Sequence, residues 1–66
     1  MRLTINGKES TLEPGQTVAG WLAARGLDPQ AVIVEINEAI VARELWPDTA
    51  LKEGDRVEVV SFVGGG

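Results

Sequence analysis

RLTINGKESTLEPGQTVAGWLAARG, residues 2–26, decides the fold. Leu3 and Ile5 alternate with Arg2 and Thr4, the period of a strand with one buried face. Asn6-Gly7 follows, and Asn-Gly suits a two-residue type I′ turn because both central residues need positive φ. Lys8–Glu13 reads as the returning strand, with Leu12 its clearest inward residue. Pro14-Gly15-Gln16 breaks that strand. Thr17 is placed to cap a helix, since its hydroxyl can accept from a first-turn N–H that has no intrahelical partner. Val18, Trp21 and Leu22 stand at i, i+3 and i+4, one apolar stripe. Gly26 sits where a left-handed cap ends a helix, with Leu27 after it to pack back. The stretch therefore predicts a β-hairpin and then a helix over 18–25 lying on a sheet. Gly20 inside that helix lowers its intrinsic propensity.

Working toward the C-terminus, Leu27–Gln30 reads as a turn. Ala31–Asn37 is rich in β-branched residues and predicts a strand. Val32, Val34 and Ile36 share one of its faces; Ile33 and Glu35 share the other. The chain continues through Asn37-Glu38 into a short strand around Ile40 and Val41. Arg43–Trp46 predicts a single helical turn ended by Pro47. A turn at Glu53-Gly54 precedes the longest strand, which runs into Gly64-Gly65-Gly66. The order β-β-α-β-β-β, two hairpins gripping one helix, is that of an α+β, ubiquitin-like β-grasp with a mixed sheet of about five strands. Residues 1–63 form its one domain and residues 64–66 a flexible glycine tail.

Composition narrows the function. A chain of 66 residues is one small domain. It buries only about 60% of its unfolded surface and has little volume for a deep pocket. A self-contained enzyme is not expected. Six basic and ten acidic residues give a net charge of -4, which repels nucleic acid. The same charge suits a basic protein partner, where it speeds encounter more than it adds affinity. The chain has no Cys and no His, so thiol nucleophiles, imidazole bases and the usual zinc sites are excluded, and no metal is expected. A disulfide-free fold fits a reducing, cytoplasmic setting. The N-terminus reads as a strand rather than a signal peptide, and no apolar run approaches the ~20 residues that span a bilayer.

The last strand and the tail carry the functional signal. Val57 and Val59 point inward to the Trp21–Leu22 face; Glu58, Val60 and Phe62 point outward. That side of a half-buried antiparallel strand should be polar, so two large apolar residues there mark a contact surface unless the loop carrying Trp46 covers them. Three glycines have no Cβ, pass channels too narrow for any side chain, and reach about 10 Å when extended at ~3.3 Å each. They can deliver a terminal carboxylate, unhindered at its Cα, into another protein's active site. Taken alone, such a tail also fits a plain disordered end. Glu35 with Glu38, or Asp55 with Glu58, could be imagined as acid–base pairs, but read as solvating charge. Trp21 belongs to the core, Trp46 is expected to seal the sheet edge, and Arg43 to form a local ion pair worth little if exposed.

These residues resemble a known family. Ile36–Gly66, INEAIVARELWPDTALKEGDRVEVVSFVGGG, is similar to the second half of the ThiS family of thiamine-biosynthesis sulfur carriers. Asn37 closing a strand, Arg43 with Trp46 three positions on, the Gly54-Asp55 turn and the final strand entering terminal glycines carry the resemblance. INGK and GQTVAGWL match more loosely in the first half. The resemblance implies a carrier rather than an enzyme. The carboxylate of Gly66 would be adenylated by a ubiquitin-activating-like adenylyltransferase that uses ATP and magnesium, and then converted to a thiocarboxylate. Sulfur would come from cysteine through a desulfurase or sulfurtransferase and pass to thiazole synthase. The carrier would hold no cofactor itself. Gly64 and Gly65 would thread the partner's channel, and Val60, Phe62 and Val63 would dock. Carriers for molybdopterin or cysteine synthesis share the architecture and the tail, and a ubiquitin-like interaction module or protein modifier is the remaining alternative.

Overall fold

The computed structural model describes residues 1–62. Val63, Gly64, Gly65 and Gly66 lie outside the described residues, and with them the expected boundary of the tail. The elements are β1 (Arg2–Ile5), β2 (Lys8–Thr11), α1 (Val18–Ala24), a short 3-10 helix at Pro29–Ala31, β3 (Val32–Ile36), β4 (Ala39–Ile40), a longer 3-10 helix at Arg43–Asp48 and β5 (Arg56–Ser61). The five strands form one mixed sheet in the order β2-β1-β5-β3-β4. β1 and β5 run parallel at its centre; every other pair is antiparallel. One helix packs on one face, as expected of a β-grasp.

The opening hairpin forms as the sequence dictates. Asn6 and Gly7 take φ of 52° and 81°, and Ile5 pairs with Lys8 across the two-residue turn. β2 ends at Thr11, short of the expected Glu13. Leu12 still packs on the core, and it exchanges backbone hydrogen bonds with Met1: its N–H donates to the Met1 carbonyl at 2.9 Å, and the N-terminal ammonium donates back at 2.8 Å.

α1 is held at both ends. The Thr17 hydroxyl accepts from the Gly20 N–H at 3.1 Å. A Cβ at Gly20 would stand 3.3 Å from that oxygen, so a glycine suits the capped turn despite its poor helix propensity. At the other end Gly26, at φ 69°, donates to Ala23 and Leu27 donates to Leu22, both at 3.0 Å. This double bond pattern satisfies the last carbonyls and turns Leu27 back on the core. Arg25 is the cap residue, so the helix stops one residue earlier than the pattern suggests.

Three local expectations are corrected. Leu27–Gln30 is not a simple turn: Asp28 caps the short 3-10 helix by accepting from the Gln30 N–H at 2.9 Å. Asn37-Glu38 is a tight hairpin turn at φ 52° and 74° rather than a continuous passage, and β4 is Ala39–Ile40 with Val41 just beyond it. Pro47 does not end the Arg43–Trp46 turn, because a 3-10 helix runs through it to Asp48. Proline's fixed φ fits that geometry, and each turn residue donates only three positions back, so its missing N–H disturbs little.

The core is built from Leu3, Ile5, Val18, Trp21, Leu22, Val32, Val34, Trp46, Leu51 and Val57. Trp46 is a core residue, 3% exposed, packed beside the β4 edge of the sheet. Its indole N–H donates to the Val41 carbonyl at 3.0 Å. Arg43 makes no ion pair among the described residues. Its Nε donates to the Pro29 carbonyl at 2.8 Å, and its guanidinium lies 5.5 Å from the Trp46 ring centroid. This ties the two 3-10 helices together over the Trp46 ring.

Candidate functional site

The strand that leads to the C-terminal residues is β5, and two turn asparagines clamp it from either side. On the β1 side, the Asn6 amide oxygen accepts from the Val59 N–H at 2.7 Å, and its amide nitrogen donates to the Val59 carbonyl at 3.3 Å. The side chain thus prolongs the parallel ladder past the end of β1. On the β3 side, Asn37 accepts from the Arg56 N–H at 2.9 Å through its side chain and donates to the Arg56 carbonyl at 2.8 Å through its backbone. Its amide nitrogen also donates to an Asp55 carboxylate oxygen at 3.1 Å. The other Asp55 oxygen accepts from the Lys52 N–H at 2.9 Å. Asp55 is 8% exposed and holds the entry into β5, so it is a structural residue and no partner for Glu58 in acid–base work.

From Val60 onward β5 pairs with β3 alone: Val60 with Ile33, Ser61 with Val32, and the Phe62 N–H donating to the Ala31 carbonyl at 2.9 Å. Directly paired residues point to the same side of a sheet. Val57 and Val59 accordingly lie with Ile36 and Val34 on the helix side, as expected. Glu58 and Val60 lie with Glu35 and Ile33 on the outer side, where Val60 is 53% and Phe62 42% exposed. The Trp46 loop does not cover them. The register adds Ile33, and the β3–β4 pairing of Glu35 with Ile40 brings in Ile40, which is 70% exposed. Four large apolar side chains therefore face outward, Ile33, Val60 and Phe62 toward the C-terminal end of β5 and Ile40 two strands away, level with Glu58. Alternation alone put Ile33 on the outer face, but nothing local says that it stands opposite Val60.

Of the residues expected to act, Val60 and Phe62 are brought together on this face; Val63, Gly64, Gly65 and Gly66 are outside the described residues. On the helix side, a groove of about 290 Å³ runs between α1 and the longer 3-10 helix, floored by Leu22, Leu27 and Trp46. Arg43 is the one charged side chain on its rim, so it offers no converging set of polar groups for chemistry. Among the described residues no group of three or more His, Cys, Asp or Glu is placed to hold a metal ion. No helix among them is long and apolar enough to cross a membrane.

The family model described as "ThiS family" matches residues 3–66. The chain belongs to the ThiS family. It is 37% identical to the sulfur carrier protein ThiS of Bacillus subtilis over 65 residues, covering 97% of this chain and 98% of that one. A crystal structure of the thiamine biosynthesis protein ThiS from Geobacter metallireducens superposes with a TM-score of 0.84 at 39% identity, each chain covered in full. The likeness confirms the β-grasp as the ThiS fold. The whole chain also matches part of a thiazole synthase of Magnetococcus marinus at 41% identity, and spans only 20% of that relative's length.

Proposed function

We propose that this chain is a sulfur carrier for thiazole formation in thiamine biosynthesis. The observation that carries the reading is the end-to-end match to the Bacillus subtilis protein named as a sulfur carrier, ThiS. In this reading the Gly66 carboxylate is adenylated by a ubiquitin-activating-like adenylyltransferase, which uses ATP and magnesium. Sulfur drawn from cysteine as a persulfide on a desulfurase or sulfurtransferase then displaces AMP, giving an acyl disulfide with that enzyme, and a thiol reductant cleaves the S–S bond to leave a thiocarboxylate. The carrier is a co-substrate of these enzymes, holds no cofactor of its own and works in the cytoplasm. The absence of Cys agrees with sulfur held on the backbone end rather than on a side chain.

Thiazole synthase is the proposed receiver of that sulfur. Thiazole synthases of Magnetococcus marinus and Paramagnetospirillum magneticum each contain a stretch matching this whole chain, at 41% and 39% identity, which favours thiazole formation over molybdopterin or cysteine synthesis. Ile33, Val60 and Phe62, with Val63, form the proposed docking face, and Gly64 and Gly65 thread the partner's channel. Introducing charge on this face should weaken docking without unfolding the domain, since the replaced groups are already half in water. Val60→Asp with Phe62→Asp is expected to lower affinity for thiazole synthase by more than tenfold in a calorimetric titration, with an unchanged circular dichroism spectrum. Wild-type affinity in the double variant would place docking elsewhere on the molecule.

A further inference from the structure

β5 approaches the C-terminal residues with unequal support on its two sides. On the β3 side the ladder runs to the end, with the Phe62 N–H on the Ala31 carbonyl. On the β1 side the register stops where Ile5 meets Val57. Asn6 carries it further. Its backbone N–H donates to the Val57 carbonyl at 2.8 Å, as the next rung of a parallel ladder does. In such a ladder the carbonyl of the same residue would accept from Val59. At φ 52° the Asn6 backbone turns into the hairpin instead, and its side-chain oxygen accepts the Val59 N–H at 2.7 Å. The amide nitrogen donates to the Val59 carbonyl at 3.3 Å, the bond that a further β1 residue would make. Among the described residues no hydrogen bond to β5 on this side lies beyond Val59.

The hairpin turn does not need these two bonds. Glycine serves the first position of a type I′ turn as well as asparagine does. Asparagine adds a planar amide with an acceptor and a donor, and both are spent on a residue 53 positions away. Val59 is the last residue of β5 held from both sides, and the outward residues Val60 and Phe62 follow it directly. Four residues beyond Phe62 reach about 13 Å when extended, whereas seven beyond Val59 reach about 23 Å. Fraying back to Val59 would therefore lengthen the tether on the Gly66 carboxylate and lower its effective concentration at a reacting centre. It would also break up the surface that Val60 and Phe62 form with Ile33.

We propose that Asn6 is a positioning residue for the reaction at Gly66: by holding Val59 from the β1 side it keeps the end of β5 in line, so that Val60 and Phe62 dock while the carboxylate is delivered at a fixed reach. This rests on the carrier reading above. Asn6 touches no reacting atom. It sets the fraction of free chains whose strand end is ready to dock, and the apparent affinity for the activating enzyme falls with that fraction. Turnover of the docked complex is unaffected, because the partner's channel then holds the segment in line.

Asn6→Gly isolates the side chain from the turn, since glycine takes the positive φ without strain. It is compared with wild type and with Thr17→Ala, which removes the α1 cap and so lowers stability away from β5. Both variants are expected to melt about 4–8 °C lower. ATP–pyrophosphate exchange by the purified ubiquitin-activating-like adenylyltransferase of the same genome is measured against the concentration of the whole chain. N6G is expected to raise KM for the carrier at least about threefold, with kcat within about twofold of wild type. T17A should leave both constants within about twofold, as a loss of stability alone does for a chain that stays folded. By NMR, the Val60 and Phe62 amides should exchange with solvent at least about tenfold faster in N6G and within about twofold of wild type in T17A. A smaller rise in KM for N6G would overturn the positioning role and leave the carrier reading intact. An equal rise in N6G and T17A would also overturn it, since stability alone would then account for the effect. A raised KM with unchanged Val60 and Phe62 amides would overturn it as well, because Asn6 would then act by touching the partner. If wild type supports no ATP–pyrophosphate exchange, the carrier reading falls and the positioning role falls with it.

Discussion

Deleting Gly66, or adding a single residue after it, is expected to abolish sulfur acceptance in a reconstituted system of activating enzyme, sulfur source, ATP and magnesium. In the proposed reaction the acceptor is the carboxylate of Gly66 itself, delivered by a glycine run of fixed reach. One residue displaces that carboxylate by about 3.3 Å. Misplacement of a reacting group by ~1 Å can already cost on the order of a hundredfold in rate. In that proposal a larger residue appended at the end would also bring a Cβ into a channel meant for glycine. The change lies beyond β5, so the fold should not feel it: melting temperature is expected to stay within about 1 °C, as for other alterations of chain ends. Sulfur acceptance by either variant at more than a few per cent of the wild-type rate would contradict the assignment of Gly66.

The second large effect is on stability. Trp46→Ala is expected to cost about 3–5 kcal/mol, the usual range for truncating a buried aromatic. Trp46 is 3% exposed, fills the space between α1 and the sheet, and gives its indole N–H to the Val41 carbonyl at 3.0 Å. Removing it opens a cavity beside the existing groove, orphans that carbonyl and releases the Arg43 guanidinium from the ring. Domains have about 0.05–0.15 kcal/mol of stability per residue, roughly 3–10 kcal/mol for a chain of this length, so the variant should be largely unfolded at 37 °C. Urea unfolding followed by the fluorescence of the remaining Trp21 measures it. Trp46→Phe keeps most of the apolar area and should cost much less, on the order of 1–2 kcal/mol. A loss below about 1 kcal/mol in Trp46→Ala would show that the site collapses on itself and that Trp46 is not the keystone the packing implies.

Local features of the fold were legible because local chemistry decides them. Asn6-Gly7, the Thr17 cap and the Gly26–Leu27 cap each rest on hydrogen bonds between residues a few positions apart. Features set by distant parts of the chain were not. Nothing near Asn37-Glu38 announces a two-residue turn, because a glutamate at φ 74° is disfavoured. The turn exists because β3 and β4 pair across it and Asn37 bonds to Asp55 and Arg56, some eighteen positions away. Asp55 reads as surface charge for the same reason: its bond to Asn37 comes from eighteen positions away, although its other partner, the Lys52 N–H, is local.

The outer face divides along the same line. Alternation in β5 was enough to turn Val60 and Phe62 outward. Joining them to Ile33 and Ile40, and setting Glu35 against Glu58, required the β3–β5 and β3–β4 registers, which depend on the whole sheet. The central β1–β5 pairing was equally out of local reach, since it joins residues about fifty positions apart.

Intact mass spectrometry of the chain ending at Gly66 shows whether that residue accepts sulfur. The chain is incubated with ATP, magnesium, cysteine and a cell extract that sulfurates a known carrier. A mass gain equal to the exchange of one oxygen for sulfur is expected, located at Gly66 by fragmentation and dependent on ATP. An unchanged mass in that same extract would contradict it, and would leave the glycine run without a part in sulfur transfer.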